Sequence, residues 1–205
     1  MALGFHDNDV MTAARGAVFI GNPDKLIDKA LLPTITVDTE SFGSGDSQFF
    51  NIGHMSVDNL PEFNIDGGDA TVMATWANPT FRTRYGETTG TVVLHSVQGD
   101  KDLFKLAYNA VDDAASGGVD FSILKKATNK SLFVLVSDTD TNQRAGLLLP
   151  NVDVTFDSLP TLNQDSFNQY DINVTMKTSA ALNRNADGTA NYIRRFFPES
   201  FVAVA

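Results

Sequence analysis

The 205-residue sequence predicts a mainly β architecture, a sandwich or barrel of roughly eight to ten short strands with one flanking α-helix. Three observations carry this. Segments 69–77 and 167–177 alternate with period two, as strands with unlike faces do. Turn-forming clusters such as Gly21-Asn22-Pro23, Gly43-Ser44-Gly45 and Gly67-Gly68 recur along the chain. One segment alone, 100–116, shows a helical stripe: Leu103, Leu106, Ala107, Ala110, Val111 and Ala114 share a face.

Taken in order, residues 1–14 read as an N-terminal arm and residues 16–20 as the first strand. A helical turn is expected at 24–32, ended by Pro33, and a β-branched strand at 34–37. Residues 41–47 read as a flexible loop and 48–55 as a strand. Residues 57–68 read as irregular because of Pro61 and the paired glycines. In 69–77, Ala70, Val72, Ala74 and Trp76 form one face, which suggests that Trp76 is buried. Asn78-Pro79 is a turn, and 81–85 and 89–97 are further strands. Asp100 is placed to cap the helix and Gly117-Gly118 to stop it. Residues 121–126 fit no pattern. Strands follow at 132–136, at 147–156 with a break at Pro150, and at 167–177, where Tyr170, Ile172, Val174 and Met176 alternate with polar residues. A last strand at 192–197 leads into an apolar C-terminal arm at 196–205. The whole is expected to be a single domain, 1–205, with these two arms.

Composition excludes several functions. The net charge is −10, with basic pairs only at Lys125-Lys126 and Arg194-Arg195, so a nucleic-acid binder with clustered cations is not expected. The chain has no cysteine, which removes disulfides, thiolate zinc sites and thiol catalysis. No apolar run reaches the roughly 18 residues of a membrane span, and the first residues lack a signal-peptide pattern, so no membrane association is expected and assembly would take place in a cytoplasm.

Chemistry-bearing motifs are equally sparse. His6, His54 and His95 have no metal-motif spacing, although His54 and His95 fall in predicted strands that could meet. Residues 138–142 open like a calcium loop, but Gln143 and Leu149 stand where Gly and Glu are required. Asp66-Gly67-Gly68-Asp69 fits a positive-φ turn better than a calcium turn. The glycines at 86–90 lack the Lys-Ser/Thr of a phosphate loop, and no nucleophile elbow is present. No catalytic residue, metal site or cofactor is expected, and the chain does not read as an enzyme.

One stretch is specific. Residues 49–69 run Phe-Phe-Asn-Ile-Gly-His-Met-Ser-Val-Asp-Asn-Leu-Pro-Glu-Phe-Asn-Ile-Asp-Gly-Gly-Asp. This order and spacing resembles the signature of the major tail tube proteins of actinobacterial siphophages. The segment ending at Trp76, the Phe81-Arg82 pair, the Leu94-His95 step and the 132–138 strand followed by Arg144 agree with that resemblance. It is weak over 22–47, 115–130 and 183–205.

The resemblance implies a structural virion protein whose hexameric rings stack into the tail tube, the conduit for DNA ejection. It implies a virion-tail location and, as partners, other copies of the chain, a tape-measure protein in the lumen, a tail terminator and distal tail or baseplate proteins. DNA would pass without specific binding. Six copies would carry about −60 formal charges, which suits a wall that repels DNA.

Expected subunit contacts fall on Asp58, Asn59, Leu60, Pro61, Glu62 and Phe63, on the loop with Gly43, Ser44 and Gly45, and on the arms with Met11, Phe196, Phe197 and Phe201. Lumen-facing residues are not identifiable from sequence. Competing readings are a tail terminator or secretion-tube protein, which shares the ring, and a β-sandwich binding module, which would display an aromatic platform.

Overall fold

The computed structural model describes residues 10–202. Thirteen strands and one α-helix form among them: β1 (Arg15–Gly21), β2 (Ser41–Phe42), β3 (Phe49–Asn51), β4 (Glu62–Gly67), β5 (Ala70–Met73), β6 (Arg82–Tyr85), β7 (Thr88–Ser96), α1 (Lys101–Tyr108), β8 (Val111–Asp112), β9 (Val119–Asp120), β10 (Thr128–Ser137), β11 (Arg144–Phe156), β12 (Tyr170–Met176) and β13 (Arg194–Phe196). The architecture is mainly β with one helix, as expected.

Nine strands form one antiparallel sheet in the order β2-β3-β1-β10-β11-β12-β7-β4, with β13 also pairing β11. At 13 residues, β11 is long enough to pair β13 through Gly146–Leu148 and β12 through Val152–Phe156 along one edge. The chain beyond β3 then crosses to the far side of the sheet. Met55 bridges Ser96, the Ser56 N–H donates to the His95 carbonyl at 2.8 Å, and the Val97 N–H donates to the His54 carbonyl at 3.0 Å. The sheet thereby curls into a barrel, which leaves less edge open to stray pairing.

Two cores follow from the alternation of side chains. Val18, Leu132, Val134, Val92, Leu94, Ile172 and Val174 fill the barrel, with Leu103, Ala107 and Tyr108 of α1 packed against them. The opposite faces of β1 and β10 send Phe19, Phe133 and Leu135 into a second core. Strands buried on both faces need continuous apolar runs, which is why 132–136 shows no alternation. The second core is covered by Ile27, Leu32, Ile35 and Phe42 from 22–47, and by Phe201. The poorly patterned segment 22–47 is thus a lid over the second core.

Several expectations are corrected. The helix spans eight residues rather than 100–116. Asp100 does cap it, accepting from the Leu103 N–H at 2.8 Å, but Asn109 turns left-handed (φ 52°) and ends it. Asp112 and Asp113 would face the negative end of a longer helix dipole, which opposes continuation. Pro33 lies inside a short 3-10 turn, Leu32–Thr34, and 34–37 forms no strand. Pro150 does not break β11. It sits where the β10–β11 register shifts between Lys130 and Leu132, a bulge that requires no N–H from it, and its carbonyl accepts from Ser131 Oγ at 2.7 Å. Residues 41–47 contain β2 and a 3-10 turn, Gly45–Ser47, pinned by a 3.2 Å ion pair between Lys25 and Asp46. Residues 57–68, read as irregular, hold the six-residue strand β4, because β7 supplies its partner. Trp76, expected inside, is fully exposed.

Tyr108 secures the helix to the barrel. Its hydroxyl donates to the Ser158 carbonyl at 2.9 Å and its ring stacks on Phe156 at 4.9 Å. Burial, then the nearby Asp171 charge and Tyr170, push its pKa up to about 12, so it stays a neutral donor across the physiological range.

Candidate assembly surface

The most conspicuous feature outside the barrel is a hairpin. The β4–β7 pairing ends at Gly67↔Thr88, and the β5–β6 pairing resumes at Ala70↔Tyr85 and runs to Met73↔Arg82. Between them the Gly68 N–H donates to the Glu87 carbonyl (2.9 Å) and the Gly86 N–H to the Asp69 carbonyl (3.0 Å). The two pairs of strands are one long ribbon, 62–96, kinked at its middle. Glycine is required at the kink: Gly67 has φ +83°, and a Cβ there would stand 2.2 Å from the Glu87 carbonyl oxygen. At the tip, Thr75 and Asn78 exchange backbone hydrogen bonds of 2.8 and 3.2 Å.

Beyond the kink the arm is exposed at every position of both strands. Its exposed apolar residues are large: Val72, Met73, Trp76, Phe81 and Tyr85, with Ile65 just below the kink. Trp76 reaches 107% relative exposure, so no described part of the chain shields it. Val72 and Tyr85 share one face of the ribbon and Met73 lies on the other. A two-stranded ribbon is marginal alone in water, and apolar side chains of this size exposed on both faces make it a candidate contact surface. Segment 70–86 also carries Arg82 and Arg84 but no Asp or Glu, so all 25 acids of the chain lie elsewhere.

At the Ser96 end of β7 lies an open groove of about 1000 Å³ between residues 54–58 and 164–169. Its walls are tied together by hydrogen bonds. Asn59 Nδ2 donates to Gln169 Oε1 at 3.0 Å, and the Gln169 amide donates to Asp171 Oδ1 at 2.7 Å. His95 Nδ1 lies 2.7 Å from the same oxygen and 2.8 Å from Gln169 Nε2, so the three side chains form one cluster. Burial is the largest single influence on the Asp171 carboxyl and favours its neutral form. The hydrogen bonds from Gln169, His95 and Ser158 together outweigh it and hold the pKa below the usual carboxylate range. His95 is therefore held by Asp171. The expected strand 48–55 ends at Asn51, so His54 lies in no strand, although residues 54–56 run beside the end of β7 through backbone hydrogen bonds.

The expected contact residues divide. Asp58, Asn59, Leu60, Glu62 and Phe63 are exposed and Pro61 half-buried; Glu62 and Phe63 begin β4 rather than ending a loop. This segment joins the groove to the arm. Ser44 and Gly45 are exposed and Gly43 half-buried, in the lid over the second core. Met11 is half-buried. Phe201 is buried in its own subunit, and Phe196 packs edge-on to Phe133 at 6.1 Å, so of the C-terminal aromatics only Phe197 stays half exposed. Arg144 fixes this end by donating to the carbonyls of Ile35, Pro33 (3.1 Å) and Phe201 (3.3 Å). His6 and the ends of both expected arms, 1–9 and 203–205, lie outside the described residues. The arm residues Val72, Trp76, Phe81 and Tyr85 and the groove residue Phe167 were not anticipated; the absence of acid over 70–86 was the one readable signal. Among the described residues no group of three or more His, Asp or Glu side chains is placed to hold a metal.

The N-terminal segment is held by Asp138. Its buried carboxylate accepts the N–H groups of Thr12 (2.9 Å), Asp140 (2.9 Å) and Thr141 (3.3 Å). These donors, Thr12 foremost, hold its pKa below the ordinary value. A depressed folded pKa gives stability that is complete above the unfolded value near 4 and lost as pH falls through the folded value. Thermal melts should therefore place Asp138→Asn below the parent at pH 7, with the gap narrowing as the pH is taken below about 4. A pH-independent gap would remove the carboxylate's charge from the account.

Residues 3–192 match the family model described as phage tail tube protein. The chain is 31% identical over 140 residues to the major tail protein Gp23 of Mycobacterium phage L5, covering 66% of this chain and 69% of that one, and to its counterpart in Mycobacterium phage D29 with the same identity and coverage. Among solved structures, a chain of the sheath–tube complex of an extracellular contractile injection system in the extended state aligns over 92% of each chain at 11% identity and TM-score 0.48.

Proposed function

The chain belongs to the phage tail tube protein family, and from this we propose that it is the repeating subunit of a tail tube, assembling as hexameric rings that stack into the conduit for DNA ejection. The observation that carries the reading is the arm. A ribbon that exposes Val72, Met73, Trp76, Phe81 and Tyr85 has no place on an isolated subunit and needs a neighbour. The role is structural rather than catalytic, and the subunit belongs in the virion tail, assembled in the host cytoplasm.

The contact is head-to-tail: the arm and the surface that receives it differ, so each subunit offers one of each. Such an interface closes into rings or grows without limit. Open growth calls for outside length control, the role of a tape-measure protein in the lumen and of a terminator at one end, with distal tail or baseplate proteins at the other. The net charge of −10 per chain suits a lumen wall that lets DNA slide. A ring-forming tail terminator is the second reading, and unlimited stacking separates the two.

Negative-stain electron microscopy of the purified chain at physiological salt, with and without tail-tip complex, tests this. Hollow tubes of six-fold rings are expected. Single rings that never stack would favour the terminator reading, and monomers under both conditions would reject both.

A further inference from the structure

We propose that the groove between residues 54–58 and 164–169 is the receptor for the arm tip of a second copy of this chain. The inference rests on the assembly reading and names the two surfaces that meet. The first argument is charge. The arm beyond the kink is cationic, with Arg82 and Arg84, whereas the groove lining contains Asp58 and Asp165 and no Lys or Arg. Both carboxylates are exposed, so an arginine can pair with either without burying an uncompensated charge.

The second argument is surface chemistry. Val57 and Phe167 neighbour these carboxylates in the groove lining and are 85% and 80% exposed, so each wall carries an apolar side chain beside an acid. The ribbon offers both classes, one on each face: the β5–β6 register puts Arg82 and Arg84 on one face with Met73, and Val72 and Tyr85 on the other, with Trp76 and Phe81 exposed at the tip, and a ribbon inserted in a groove presents both faces. Aromatic and arginine side chains make the strongest anchors at protein interfaces.

The third argument is placement. The groove lies beyond the Ser96 end of β7, while the arm leaves from its Thr88 end. Along the strands, Val97 and Arg82 are separated by about 50 Å at ~3.3 Å per residue. That is a contour length along a paired ribbon, and among the described residues no hydrogen bond or strand pairing links residues 70–86 to the groove residues of the same chain. Tip and groove at opposite ends of one subunit make the contact head-to-tail, the geometry that lets an assembly lengthen. The hydrogen bonds from Asn59 through Gln169 to Asp171 fix the two walls relative to each other before docking, which lowers the ordering cost of binding.

The cysteine-free sequence allows a direct test. Phe81→Cys and Phe167→Cys change exposed residues, one on each surface. Under mild oxidation the double variant is expected to give a ladder of covalent oligomers, while either single variant stops at the dimer. Adding Asp58→Lys and Asp165→Lys to the double variant should reduce the ladder at least tenfold. Tubes seen by electron microscopy without a ladder would overturn the groove assignment and leave the assembly reading standing. A ladder without tubes would support the groove and count against the tube. Neither tubes nor ladder would overturn both.

Discussion

Excision of residues 69–86 should yield a subunit that folds and does not assemble. The cut leaves Gly67 paired with Thr88 and places Gly68 and Glu87 between them, where the Gly68 N–H already meets the Glu87 carbonyl at 2.9 Å. A Gly-X pair is a favoured two-residue connection for antiparallel strands, so the shortened hairpin closes without strain. The deleted segment contributes no residue to either hydrophobic core. The thermal midpoint should move by only a few degrees. Sedimentation velocity should show the loss of all species above the monomer under conditions where the parent chain forms tubes. Tubes of ordinary length from the excised variant would show that the arm is dispensable, and the assembly account would fail with it.

Phe133→Ala should have the largest effect on stability. The ring is fully buried at the centre of the second core, with Phe19 and Phe42 each at 6.0 Å and Phe196 at 6.1 Å. Its edge also lies where a Cβ on Gly146 would fall, 2.5 Å away, so the β11 backbone is fitted closely against it. Truncation leaves a cavity between a lid and a sheet that collapse only in part, at a cost of about 3–5 kcal/mol. For a domain of this size that corresponds to a fall in midpoint of about 6–20 °C. The lid segment 22–47 and the end around Phe201 should become the first sites of proteolysis, because both lean on this cluster. A midpoint within a couple of degrees of the parent would mean that the second core contributes little.

The barrel was largely legible. Strands β1, β7, β10, β11 and β12 bury a full face within one chain, and that burial imposes the alternation or the continuous apolar run by which each is recognised. Legibility failed where the partner of a segment is remote or absent. Residues 69–77 alternate, but alternation does not say whether a face meets a core, and Trp76, which the pattern puts in the subunit's interior, faces solvent. β4 hid behind Pro61 and Gly67-Gly68, signals of irregularity that mark only its two ends. The helical stripe continued past its true end because the apolar residues at 110, 111 and 114 keep the period, while Asn109, a residue that tolerates the left-handed region, terminates the helix.

The expected contact segment 58–63 does lie on the surface between groove and arm. The arm itself went unread because hydrophobicity is ordinarily taken as evidence of burial. On the proposed assembly the same hydrophobicity belongs to a contact with a neighbouring copy, and the absence of acids between Asp69 and Glu87 is the sequence feature that sets the segment apart.

The most direct test of the central claim is an electron cryomicroscopy reconstruction of the tube assembled from this chain. The account predicts a hollow, six-fold helical assembly in which every 70–86 arm lies on a neighbouring copy, with Trp76 and Phe81 covered. A tube in which the hairpins project into solvent, or an assembly with no repeating head-to-tail contact, would contradict it.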